Sequence, residues 1–424
     1  MSHQVAVTIV ADVRPGEADS LKRLLATMGA GVANGSVVDL SALRGVHFAR
    51  FVLLDETHDL RGDPLPASLV YMSDVDIAAD RHLSDLVDTV GSGLDLLFGH
   101  CDGYPAAPTA RDARLSYLRS HLVKEQARYF NTTGRNVRRV RQEAELRDRI
   151  EDVLNSSPDS LTDADPASIR ARVQEQIAHD GRLSWARRPA SGPGLGFRLK
   201  ELAHLVGGLL LVVLLSPLLL VVAPVFVVLL RLHERSEPAP HLRPERKHVE
   251  ELEALEDHLV QNPFTAVGFV KPGLFRLMTI KTILLAIDFA ARHVFNKGNL
   301  AGVKTIHSAR WVALNGWRRM VFASNYDGSR ESYMDDFVDK IAWGLNVAFG
   351  SGYGFPRTRW LFFDGVRDEQ AFKDFLRRHL APTRVWYSAY GRLTNANIEN
   401  NARIRAGLTG KADANEARRW VQAL

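Results

Sequence analysis

The chain has 424 residues, 46% of them hydrophobic and 24% charged, which is enough for two domains of ordinary size and excludes a disordered or fibrous protein. A single cysteine, Cys101, excludes a disulfide framework and a cysteine-based zinc site, so no metal is expected. The formal charge of +5 comes without zinc-finger, RNP or helix-turn-helix spacing, and nucleic acid is not an expected partner.

Residues Met1–Gly16 lack the basic head and apolar core of a secretory signal, which leaves the cytoplasm as the expected compartment. Val5–Val13 is apolar and β-branched and predicts a strand, and Glu17–Met28 carries Leu21, Leu24, Leu25 and Met28 at helical spacing. His47–Leu54 and Ser68–Met72 read as two further strands, Arg81–Phe98 and Arg111–Leu122 as helices, and Ala127–Asn131 as a closing strand. The order β-α-β-β-α, then a helix and a strand, predicts a ferredoxin-like unit with one extra helix and one uncovered sheet face. Residues 1–155 form this unit. A polar linker, 156–200, follows, with a short helix over Pro166–His179.

From Leu202 to Leu232 the only charged residue is Arg231. One straight membrane crossing needs about 20 residues and two with a turn about 40, so the run is long for one crossing and short for two. Pro217 and Pro224 each remove a backbone donor, which bends or ends a helix. Arg182, Arg187, Arg188, Arg198 and Lys200 precede the run, and Arg231, Arg235, Arg243, Arg246 and Lys247 close it, so both flanks carry the cytoplasmic charge signature. A re-entrant hairpin over 201–233 is therefore expected, with one kinked crossing as the alternative. Its lipid contacts would include Leu209, Leu215, Pro217, Leu220, Pro224, Phe226 and Leu229. Residues 234–261 read as a proline-bearing linker with an amphipathic helix at Val249–Val260.

After the insert the first unit is written again, over 262–410, with a tail at 411–424. Val13-Arg14-Pro15-Gly16 returns as Val270-Lys271-Pro272-Gly273, and Val46-His47-Phe48-Ala49-Arg50-Phe51 as Ile306-His307-Ser308-Ala309-Arg310-Trp311. Ser73, Asp76, Asp85, Gly93, Phe98 and Gly103 reappear without gaps as Ser324, Asp327, Asp336, Gly344, Phe349 and Gly354. Such duplicated α+β units resemble the dimeric α+β barrel superfamily, and the resemblance implies that the two open sheet faces meet, with both units on one side of the membrane.

The units differ in their first helix. In Leu274–Phe295, Lys281, Asp288 and Arg292 share one narrow stripe and most other positions are apolar. A sheet covers only one such face. The remainder, including Phe275, Ile283 and Leu284, is expected to meet the bilayer, the insert, another subunit or a hydrophobic ligand.

Ser324–Glu331 is the most polar stretch of the second unit. Asp327 or Ser329 is placed to cap the helix that begins near Arg330. Duplicated ferredoxin-like halves with an Asp-Gly after a strand also resemble the dye-decolourising peroxidases, haem enzymes with a Gly-x-x-Asp-Gly motif; here the string is Ser324-Asn325-Tyr326-Asp327-Gly328, without the first glycine. The resemblance implies Asp327 as distal acid, Arg310 as distal arginine, and His307 or His379 as haem ligand. Read from the residues alone, Arg50 and Arg310 pair with a carboxylate within strands, and the repeated histidines His47 and His307 have a structural role. No Walker loop, Gly-x-Ser-x-Gly elbow or His-Glu-x-x-His occurs. The expected function is a membrane-anchored protein of the cytoplasmic face of the inner membrane that binds lipid or a hydrophobic ligand or acts as a scaffold, its partners being membrane lipids and further copies of itself. A haem-dependent peroxidase-like enzyme and a homo-oligomeric membrane-shaping assembly are the alternatives.

Overall fold

The computed structural model describes residues 4–31, 38–131, 133–156, 165–189, 192, 194–255, 260–295, 298–409 and 413–424. It is an α+β protein with several antiparallel sheets and one long apolar helix. The strands are β1 (Val5–Asp12), β2 (Val46–Leu54), β3 (Thr57–His58), β4 (Pro64–Leu65), β5 (Ser68–Val75), β6 (Ala127–Phe130), β7 (Gln261–Phe269), β8 (Ile306–Leu314), β9 (Arg319–Asp327), β10 (Thr358–Arg359), β11 (Phe363–Asp364) and β12 (Val385–Ser388). The helices are α1 (Ala18–Gly31), α2 (Ala79–Phe98), α3 (Arg111–Ser120), α4 (Val137–Asn155), α5 (Pro166–His179), α6 (Leu195–Ser236), α7 (Arg246–Leu255), α8 (Leu274–His293), α9 (Arg330–Phe349), α10 (Glu369–His379), α11 (Asn395–Gly407) and α12 (Ala414–Val421). The predicted amphipathic helix at Val249–Val260 falls partly on α7; residues 256–259 lie outside the described residues.

The two large sheets have the orders β1-β5-β2-β12 and β6-β8-β9-β7. Neither is built from one stretch of chain. Val385 of β12 pairs with Phe51, and Ala127 of β6 pairs with Trp311. The strand predicted to close the first unit is present, but on the edge of the other sheet. Alternating side chains identify a strand, whereas its partner is decided by whichever sheet edge has free backbone groups.

Helices cover one face of each sheet. Leu21 and Leu25 of α1 and Leu83 and Leu94 of α2 fill the first core, and Ile280 and Leu284 of α8 with Met334 and Phe337 of α9 fill the second. The other two faces pack on each other, with Val52, Leu54, Val70 and Met72 against Val312, Leu314, Val321 and Ala323. Ionic groups sit at the centre of this contact. Arg50 donates to Phe264 O at 2.8 Å, Ser324 O at 2.7 Å, Thr265 Oγ1 and Asn325 Oδ1 across the interface. Arg310 donates in the opposite direction, to Val7 O at 2.8 Å, Ser73 O at 2.8 Å, Thr8 Oγ1 and Asp74 Oδ1. Burial, and then the neighbouring Arg310 charge, pulls the Arg50 guanidinium down to about 9.

A third, smaller core holds α4, α5, α11 and α12 together through Leu146, Ile150, Val173, Ile404 and Trp420. The segment read as a polar linker thus contributes a packed helix, α5. The C-terminal tail docks as α12, whose Trp420 Nε1 donates to Ile404 O at 2.8 Å.

The expected reversal in the insert is absent: α6 runs as one helix of 42 residues through Pro217 and Pro224. Pro217 leaves the Val213 carbonyl without its helical donor, and the hydroxyl of Ser216 donates to that carbonyl at 2.7 Å instead. Hydroxyl side chains replace proline's missing bond in this way in apolar surroundings, so the break is bridged.

Candidate functional site

The run of leucine and valine in α6 has no polar stripe, so its placement is set by what lies beside it. It runs antiparallel to α8. At one end Glu201 pairs with Arg292 at 2.6 Å and His204 Nδ1 meets His293 Nε2 at 2.8 Å. At the other, Phe226 lies 5.4 Å from Phe275, His233 stacks on Phe275 at 4.5 Å, and Arg276 pairs with Glu237 at 2.7 Å. Gly208 permits the close approach, since a Cβ there would lie 2.4 Å from Phe289. Buried Glu234 accepts from Thr358 Oγ1 at 2.9 Å, Trp360 N at 2.9 Å and Leu361 N at 2.8 Å, and so ties the end of α6 to the β10–β11 turn. Both ends of the apolar helix are therefore held by the same folded body.

Between α6, α8 and α9 the helices part and leave a cavity of ≈ 800 Å³. Leu219, Ala223 and Phe226 of α6 form its roof, Thr282, Ile283 and Ala286 of α8 one wall, and Phe337, Ile341 and Gly344 of α9 the other. At its floor lie Tyr129, Phe264, Trp311 and Phe322 of the second sheet. Among the described residues, no charged one lines it. Helix α9 departs from helical geometry at Ile341, with φ −139° and ψ 37°, beside this space. The helix covering the first sheet at the corresponding place, α1, instead packs directly on its strands through Leu21 and Leu25.

Exposed aromatic residues border the cavity and the end of α6. Trp343 and Phe362 line it while remaining about half exposed, and Trp360 and Phe363 stand beside them. The Arg231 guanidinium lies over Trp360 and that of Arg359 over Phe363.

Leu209, Leu215, Leu220 and Leu229 are exposed on α6, as are Pro217 and Pro224; Leu220 is 77% exposed. Phe226 and Phe275 are half-buried against each other. Ile283, expected to meet the bilayer, the insert, another subunit or a ligand, packs on Leu230 of the insert helix and on Leu361, whereas Leu284, given the same expectation, is turned inward into the second core. In a helix that is apolar on almost every side, periodicity does not distinguish the face turned to the sheet.

The polar candidates lie elsewhere. Asp327 is buried, with Oδ1 2.7 Å from His307 Nε2 and Oδ2 accepting from Asn395 N at 2.8 Å, so it holds the start of α11. Asp76 does the same for α4, with His47 Nε2 at 2.8 Å and Val137 N at 2.8 Å. In both sheets a bulge falls at the histidine, between Val46 and Phe48 and between Ile306 and Ser308. Ser329, not Asp327, caps α9 by accepting from Ser332 N. Arg310 is engaged in the inter-sheet contact with Asp74. His379 Nδ1 lies 2.7 Å from Phe375 O and its ring faces a cavity of only ≈ 50 Å³. The structure thus brings His307 and Asp327 together but leaves Arg310 and His379 apart from them. Neither His307 nor His379 lines the ≈ 800 Å³ cavity, so the two histidines named as haem ligands do not present a ligand to it. Tyr129, Trp311, Tyr333 and Trp343 line the cavity without having been singled out by sequence; Tyr129 and Trp311 lay in predicted strands, but nothing in a strand pattern reports a gap between helices.

No protein-family model, curated protein or solved structure matches the chain.

Proposed function

We propose that this chain is a membrane-associated lipid-binding protein in which two related β-α-β-β-α units face each other as a pseudo-dimeric α+β barrel on the cytoplasmic face of the inner membrane. The observation that carries this reading is the ≈ 800 Å³ cavity that has no charged residue among its described lining, roofed by the one helix among the described residues long and apolar enough to cross a membrane. Spaces of this size bury most of a drug-sized or single-chain ligand. Because both ends of α6 are tied to one body, the helix is read as lying lengthwise in one leaflet instead of crossing it. The exposed Trp343, Trp360, Phe362 and Phe363 then sit at the level of the headgroups, where aromatic rings are favoured. The flanking Lys and Arg side chains gain about 1 kcal/mol each beside an anionic leaflet.

Solvent extraction and mass analysis of the purified full chain tests the proposal. The expected result is near-stoichiometric apolar lipid in the natural protein and a large reduction in Ala286→Trp, which fills the space from α8. A chain that carries no lipid and stays soluble without detergent contradicts it.

A further inference from the structure

The polar groups of the cavity gather towards its floor. Besides Thr282 on the α8 wall and the half-exposed Trp343 of α9, four polar side chains reach the lining where the sheet and the first turns of the helices meet. Thr279 donates to Phe275 O at 2.8 Å within its own helix, and the Tyr333 hydroxyl is 2.8 Å from Ser324 Oγ. The other two, Tyr129 and Trp311, are 1% and 6% exposed. Their polar atoms, the Tyr129 hydroxyl and Trp311 Nε1, have no hydrogen-bond partner in the protein.

The strand register places them together. Tyr129 of β6 is opposite Ala309, and Trp311 is two residues further along β8, so the two side chains are diagonal neighbours on the helix-covered face. An indole N–H is only a donor, and burial pushes the Tyr129 phenol up, which keeps it protonated and able to donate. Two buried donors without partners in an otherwise apolar chamber are expensive unless an acceptor is supplied.

Building on the lipid-binding reading, we infer that the occupant is a neutral single-chain lipid that enters polar end first and presents one carbonyl-type oxygen to Tyr129 and Trp311. Neutrality follows from the lining. A carboxylate or phosphate brought to this depth would meet no cation among the described lining residues, which include no Lys, Arg or His, and an unpaired buried anion is heavily disfavoured. A pure hydrocarbon would fill the same space and leave both donors unsatisfied.

The test measures binding of radiolabelled methyl palmitate, hexadecane and palmitate to the full chain in phosphatidylcholine nanodiscs at pH 8, with empty discs subtracted. Methyl palmitate is expected to bind about tenfold tighter than hexadecane, the effect of satisfying buried donors, and palmitate more weakly than its ester. Tyr129→Phe should narrow the ester preference severalfold while leaving hexadecane binding and the melting temperature in place, because it removes an unpartnered donor. Trp311→Phe should narrow it too while lowering the melting temperature, because the smaller ring also gives up buried volume in the second core. Equal binding of ester and alkane, or tightest binding of palmitate, overturns the inference and leaves the lipid-binding reading intact. Retention of none of the three overturns both.

Discussion

Replacing Asp74 by Asn should be among the most damaging single changes in the molecule. The contact between the two sheets buries two guanidiniums, Arg50 and Arg310, around this one carboxylate, whose Oδ2 also accepts from Ser308 Oγ at 2.6 Å. The position matching Asp74 in the second sheet is Asn325, which offers Arg50 a neutral oxygen only. The cluster is therefore short of negative charge already. Removing one partner of a buried ion pair costs about 3–5 kcal/mol, a large part of the 5–15 kcal/mol, roughly, that holds a domain folded. Arg50→Met removes a surplus charge instead, and its loss, about 1–3 kcal/mol, falls mainly on the Phe264 and Ser324 carbonyls, since Thr265 Oγ1 keeps Thr383 Oγ1 and Asn325 Oδ1 keeps Trp386 Nε1 as partners. Urea denaturation of the full chain in mild detergent, followed by tryptophan fluorescence, should show a much lower midpoint for Asp74→Asn than for Arg50→Met. Equal midpoints, or the reverse order, would refute the assignment of Asp74 as the charge that clasps the two sheets.

Further outcomes follow from the same geometry. Gly208→Leu should push α6 away from Phe289, raising hydrogen exchange along α6 and lowering the amount of retained lipid. Burial holds His82 down to about 4, beside Tyr71 and Ser73, so its imidazole is neutral when folded. Between that value and the ordinary 6.5 the unfolded chain binds the extra proton, so stability should fall as pH drops through this window, and His82→Phe should flatten the slope in denaturation midpoints. Burial likewise pulls Lys271 down to about 8, with nearby Arg276 adding to the effect. Stability should rise from pH 8 towards 10.5 as the unfolded chain retains the proton longer, and Lys271→Met should abolish the rise. Cys101 is buried and its thiol is pushed up to about 12, so maleimide at pH 8 should label it only on unfolding.

Much of the local structure was legible. The helix at Pro166–His179 and the strands beginning at Val5, His47 and Ser68 lie where period and breakers place them. The exchange of β6 and β12 was not legible, because strand alternation is the same whichever sheet edge accepts it. Helix α4 went unread because its arginine-rich sequence shows only a thin apolar stripe, Val137, Val140, Leu146 and Ile150, that gains meaning against α11 and α5. At Pro217 the preceding Ser216 was visible in the sequence, but its repair of the Val213 carbonyl depends on a side-chain rotamer. The cavity is the extreme case. Its residues look like ordinary core, and what distinguishes them is the volume left between helices whose separation follows from α6 resting on α8.

Whether both ends of α6 stay on one face of the membrane is the claim on which the placement of the cavity rests. Single cysteines introduced by Ser184→Cys and Ser236→Cys, both exposed and on opposite sides of the apolar run, can be probed in sealed inside-out vesicles with an impermeant maleimide while buried Cys101 stays silent. Labelling of both sites from the same side is the predicted result. Labelling of one site only from outside and the other only after the vesicles are opened would contradict the account.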